Sequence, residues 1–144
     1  MLGKAMFYQL IYVSVAFAPF TNPELHALAA QARAHNSQRH ITGILFYGEG
    51  YFAQVLEGAQ EEVESLYASI KRDTRHHHVT LVVRGTRPRR EFPHWSMACR
   101  QLTYPAFAQL VKCLPETAHE VKTATGSHSL GARIAPYVEQ GVRL

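Results

Sequence analysis

The chain has 144 residues, of which 47% are hydrophobic and 18% charged, the size and make-up of one globular domain with a real core. That excludes a disordered chain, a collagen-like chain and a repeat array. Lys plus Arg number 15 against 11 Asp plus Glu, a formal net charge of +4, which suits an anionic ligand or partner but is too small an excess to imply nucleic acid.

Met1 to Ala18 is rich in apolar residues, and Lys4 gives it a faint leader-peptide character. Tyr8, Gln9, Tyr12 and Ser14 interrupt the run, and no A-x-A-like cleavage site follows it. It reads as a buried strand from about Phe7 to Val15, central because Leu10 to Val13 is continuously apolar or aromatic. Pro19 ends it. Thr21 or Asn22 caps a helix whose first turn carries Pro23 and Glu24. Leu25, Leu28, Ala29 and Ala32 form its core-facing stripe, and Asn36 and Ser37 end it. Two β-rich runs follow, Ile41 to Tyr47 and Tyr51 to Glu57, joined by Gly48-Glu49-Gly50 as a hairpin.

A second helix spans about Ala59 to Asp73, with Val63, Leu66, Tyr67 and Ile70 at helical spacing. His78 to Arg84 reads as a fourth strand with alternating Val79, Leu81 and Val83. Pro88 and Pro93 bracket a basic loop, and Trp95 to Leu102 reads as a fifth strand. The order β-α-β-β-α-β-β predicts an α+β, ferredoxin-like sandwich, a five-stranded mixed sheet with two helices on one face. That domain occupies residues 1–102. Residues 103–144 form a C-terminal helical extension, with one stripe at Phe107, Leu110, Val111 and Leu114 and a second helix over about Ser129 to Gln140. It is the size to cover the far sheet face or to meet a partner.

Cys99 and Cys113 cannot make a disulfide framework or a Cys-rich zinc site, and they read as reduced thiols of a cytoplasmic protein. No run approaches the roughly 20 apolar residues of a membrane span. His76-His77-His78 has the look of a metal cluster. Contiguous residues seldom aim at one ion, and no Cys or carboxylate stands at ligand spacing, so a solvated turn is expected and no metal. Lys71, Arg72 and Arg75 suit a helix C-terminus or a phosphate. Arg84, Arg87, Arg89 and Arg90 form either a solvated connection or a docking loop for an acidic partner. There is no G-x-S-x-G and no phosphate-binding glycine loop.

Three polar residues stand out. Tyr12 lies mid-strand among aliphatics, as a core tyrosine with a paired hydroxyl would. Gln54 shares a strand face with Phe52 and Leu56, where unpaired amide groups cost on the order of 1–3 kcal/mol. It is either wetted at an edge or turned to a ligand. Asn36 is either a plain helix cap or another amide converging on that ligand.

Taken in order, the segments resemble the BLUF family, the blue-light sensors that use FAD. The resemblance covers Phe7 to Leu102 and rests on Leu10-Ile-Tyr12-Val-Ser14, Ala34-His-Asn36 with Ile41-Thr-Gly43, Gly50-Tyr-Phe-Ala-Gln54-Val-Leu-Glu-Gly58, Ile70-Lys-Arg-Asp73-Thr-Arg75-His76 and Phe92-Pro-His-Trp95-Ser-Met97. It implies FAD between the two helices. Tyr12, Gln54 and Asn36 are then the flavin-contacting triad, and His35, Ile70, Arg75 and His76 further neighbours. Trp95 and Met97 are the residues that relay the signal from the last strand. The implied mechanism is reversible photochemistry rather than enzymatic turnover. Tyr12 gives an electron to the flavin and a proton through Gln54, and rearrangement of the amide exchanges a donor for an acceptor. Val15 departs from the family, standing where many members carry a basic residue. The expectation is a short receptor with no effector domain of its own, signalling to a separate partner and forming a homo-oligomer. The alternative is a non-photoactive ferredoxin-like module that binds a small anion or a protein.

Overall fold

The computed structural model describes residues 6–115 and 129–144. Strand β1 (Phe7–Ala16) lies between two neighbours, which explains why adjacent Leu10 and Ile11 are both fully buried. Helix α1 (Asn22–Gln38) starts with a reciprocal capping box: Glu24 N donates to Thr21 Oγ1 at 3.3 Å, and Thr21 N donates to Glu24 Oε1 at 3.0 Å. Asn36 lies inside its last turn, and Arg39 forms the C-cap, so Asn36 is not the plain cap. Strands β2 (Thr42–Gly48) and β3 (Tyr51–Gly58) are joined through Glu49 and Gly50, both at positive φ, 47° and 97°. That turn matches the twist of the hairpin.

Helix α2 (Gln60–Arg72), strand β4 (His76–Arg87), the short strand β5 (Ala98–Gln101), helices α3 (Tyr104–Lys112) and α4 (Leu130–Gln140), and strand β6 (Val142–Arg143) complete the chain. The sheet order is β4-β1-β3-β2-β5-β6, antiparallel throughout except for the parallel β2–β5 pair. With α1 and α2 on one face, this is the ferredoxin-like arrangement.

Three expectations change. The sheet has six strands rather than five, because residues 142–143 pair with the open edge of β5. The alternation in β4 is broken, because Ile11 faces Val83 and Tyr12 faces Leu81, leaving Val82 as an extra residue. One extra residue flips the faces, so Val79 packs on the helix side and Val83 on the opposite side. β5 begins only at Ala98, with Trp95 and Met97 just ahead of it. Of the two roles expected for the C-terminal extension, it takes the first and covers the far sheet face. Phe107, Leu110, Leu130 and Ile134 from α3 and α4 pack on Ile44, Phe46, Ala53 and Val55 in a second core. The chain's own extension therefore covers that apolar face.

Two of the four cations of the basic loop, Arg87 and Arg90, turn inward, while Arg84 and Arg89 stay exposed. Arg87 is 5% exposed and donates to Glu91 at 2.8 Å. Arg90 donates to Thr42 Oγ1 and to the Glu57 carbonyl, and Arg84 reaches Glu64. Arg87 and Arg90 are therefore spent on the protein itself.

Candidate functional site

A cavity of about 300 Å³ opens between α1 and α2 on the helix-covered side of the sheet, within the usual range for ligand sites. The strand register makes its floor. Tyr12 stands opposite Gln54, and Gln54 opposite Leu45, so one row across β1, β3 and β2 points the same way. Phe52 lies two residues before Gln54 on that face, as alternation requires. Helix α1 contributes Leu28, Ala32, His35 and Asn36, spaced to fall on one stripe. Helix α2 contributes Leu66, Ser69 and Ile70, and the turn beyond it Asp73, Arg75 and His76.

Tyr12 and Gln54 are both buried, and the Tyr12 hydroxyl donates to Gln54 Oε1. Gln54 Nε2 donates in turn to Met97 Sδ at 3.3 Å. Burial, and then the neighbouring Tyr67 and Asp73, push the Tyr12 phenol far above its ordinary pKa, so it holds its proton. Tyr67 packs beside it with ring centroids 5.6 Å apart. At the cavity mouth Arg75 holds Asp73 through two carboxylate oxygens, and that hydrogen bonding is the main cause lowering the Asp73 carboxyl pKa. His76 bonds Ser14 Oγ through Nδ1 at 2.8 Å and the Ile70 carbonyl through Nε2 at 2.6 Å. Both ring nitrogens are thus spent on the protein, tying the end of α2 to β1.

The cavity therefore gathers Tyr12, Gln54, Asn36, His35, Ile70, Arg75 and His76. Met97, 1% exposed, stands behind Gln54. Trp95 is separate: it stacks on Phe92 at 5.8 Å and packs with the second core. Sequence reasoning missed Phe20, Gln31, Ser69 and Asp73 as lining residues. Helical spacing from Leu28 and His35 signals Gln31, and spacing from Leu66 signals Ser69. Phe20 carries no local signal, because its ring is placed by Tyr47 and Phe52 across the sheet. The histidine run is not a solvated turn but opens β4, with His77 stacked on Phe17 at 4.1 Å. Among the described residues no group of three His, Cys, Asp or Glu side chains is placed to hold a metal.

The residues suit a flat, mostly apolar ring system with a polar edge. The walls are aliphatic and aromatic, and the polar groups are few and directed. Asn36 is 2% exposed and lines the cavity. The family model for sensors of blue light using FAD matches residues 7–98. The chain belongs to the BLUF family. Photoactivated adenylate cyclase subunit beta of Euglena gracilis is 35% identical over 96 residues, 66% of this chain and 11% of that protein. The blue light- and temperature-regulated antirepressor BluF of Escherichia coli (strain K12) is 32% identical over 69 residues, 48% of this chain and 17% of that protein. The solved dark-state structure of BlrB, a BLUF protein, aligns with a TM-score of 0.66 at 25% identity, covering 94% of this chain and 99% of that one. The chain spans about a tenth to a sixth of the length of those curated relatives, whose cyclase and antirepressor activities are statements about them. The cofactor of this BLUF domain is FAD, and its family role is blue-light sensing. No helix among the described residues is long and apolar enough to cross a membrane.

Proposed function

We propose that the cavity between α1 and α2 holds the isoalloxazine of FAD and that Tyr12 and Gln54 are its photochemical pair. Asn36 would meet the polar edge of the ring, His35 and Ile70 its flanks, and Arg75 and His76 its exit. The observation that carries this reading is the buried chain Tyr12 hydroxyl, Gln54 amide, Met97 sulfur, set in the cavity wall. Bound FAD supplies the blue-light absorption and an acceptor for an electron. The protein supplies a proton relay. Tyr12 holds its phenolic proton against Gln54 Oε1, where a short transfer moves it to the amide. The amide's two ends are nearly isosteric but opposite in hydrogen-bond sense, so its rearrangement withdraws the donor from Met97 and changes what the polar edge of the ring meets. In a dry pocket that exchange carries more energy than in water.

Met97 then moves the segment ahead of β5, and Trp95, two residues away on the other side, follows. This gives the relay role to Met97 first and to Trp95 second. The output is sensory, not catalytic, and passes to a separate partner protein. The free thiols Cys99 and Cys113 support a reducing, cytoplasmic setting. Self-assembly, if it occurs, uses a surface other than the covered sheet face.

The deciding experiment is a light-minus-dark absorption spectrum of the purified protein. The expected result is a yellow protein with a small, reversible red shift of the flavin band. A protein that stays colourless after FAD is added sinks this reading and leaves the non-photoactive binding module.

A further inference from the structure

Three arginines from separate elements line one groove at the sheet edge, away from the flavin-type cavity. Arg33 of α1, Arg100 of β5 and Arg143 of β6 line a groove of about 350 Å³ together with Trp95, Met97 and Leu144. Arg100 and Arg143 stand directly opposite each other in the β5–β6 ladder, a like-charge pairing that weakens a sheet. Arg100 is 9% exposed and donates to the carbonyls of Val138 and Cys99. Burial first, and then the charge of Arg143, lower its pKa. Arg33 donates to the Leu144 carbonyl at 3.2 Å. The ion pairs among the described residues lie elsewhere, and even a carboxylate at Leu144 would balance only one of the three charges. The groove shares a wall with the photochemical site, because Met97 lines it while its sulfur accepts from Gln54 Nε2.

We propose that this groove is the docking site for an acidic segment of a partner protein, with Met97 the wall through which the state of Gln54 changes its fit. Arginine forks match carboxylates through paired hydrogen bonds, and opposite charge sets both approach rate and register. Three cations in a small groove, on a chain of net charge +4, are too few to track a phosphate backbone. The light dependence, but not the groove, rests on the photosensor reading.

The test is fluorescence anisotropy of a labelled oligoglutamate peptide, in the dark and under blue light, with the absorption spectrum of the same sample recorded first. Wild type binds the peptide. Arg143→Glu, an exposed change in a two-residue strand, weakens binding on the order of tenfold, and Arg33→Gln weakens it in the same direction. The charge-matched Arg89→Glu leaves it unchanged. Illumination alters the affinity by roughly 5-fold or more. No binding, or equal loss in Arg89→Glu, overturns the groove. So does tighter binding of an oligothymidylate with the same sensitivity to Arg143→Glu. Dark binding that light does not alter, in a sample that shows the red shift, overturns the role of Met97. A colourless sample removes the flavin reading alone, while the dark measurements still decide the groove.

Discussion

The Gln54 side-chain nitrogen donates to the Met97 sulfur at 3.3 Å, although the two residues lie 43 positions apart in sequence. The contact is made because β2 pairs in parallel with β5 on one side and antiparallel with β3 on the other. Leu45 faces both Gln54 and Cys99, so Met97, two residues before Cys99, falls beside the amide. A sulfur is a weak acceptor, so the amide gives up little when it rearranges.

Tyr12→Phe removes the proton that Gln54 Oε1 receives. The variant is expected to fold with a loss of ~1–3 kcal/mol and to keep FAD while losing the reversible red shift. The check is a difference spectrum beside a urea melt, and an unchanged photocycle refutes the assigned role.

Met97 tests the relay at two levels. Met97→Ala opens a cavity in the core beneath α1 and should cost ~2–5 kcal/mol. Met97→Leu keeps the volume, costs less than ~1.5 kcal/mol and removes only the sulfur acceptor. The rate of dark recovery is expected to change in the Leu variant. Identical recovery in the two proteins would show that the sulfur plays no part.

Trp95 lies against Phe92 and the second core, away from the cavity. Trp95→Phe should therefore leave the dark flavin spectrum in place while altering the light-induced change further along β5. A displaced dark band counts against this placement.

Glu57 is 1% exposed and accepts from Gln9 Nε2, Glu91 N and Phe92 N. Burial outweighs those bonds and raises its pKa above the ordinary 4.5. A carboxyl whose folded pKa is raised contributes stability that is full below the unfolded value and is lost as pH rises through the folded one. Urea midpoints of wild type relative to Glu57→Gln should thus fall as pH climbs above 4.5. A relative midpoint that rises over that range contradicts the direction.

Gly43 has φ of 151°, and a Cβ there would sit 1.9 Å from the Val55 carbonyl oxygen. Backbone cannot step aside cheaply inside a ladder, so Gly43→Ala should lose at least ~2 kcal/mol. Thermal melting measures it, and a near-neutral result would mean that β2 and β3 can part locally.

Much of the site was legible in the sequence because its residues sit on regular elements. Alternation along β3 put Gln54 on the apolar face with Phe52, and Asn36 stood at the end of the first helix as either a cap or another amide turned to a ligand. The ordered motifs then supplied the family. What was not legible lay where spacing is interrupted. Val82 bulges β4 and sends Val79 and Val83 to opposite faces. The basic loop read as either a solvated connection or a docking loop, yet Arg87 and Arg90 close on Glu91, Thr42 and the Glu57 backbone.

The 144-residue sequence by itself determined the ferredoxin-like element order, which follows from local periodicity, and the family, which follows from the ordered motifs. Only the tertiary structure decided that Met97 rather than Trp95 touches Gln54, that α3 and α4 cover the far face, and that residues 142–143 add a sixth strand. Those outcomes depend on which distant segments pair and pack. A pattern of residues along the chain does not encode that choice; the burial of apolar faces and the satisfaction of open backbone edges make it.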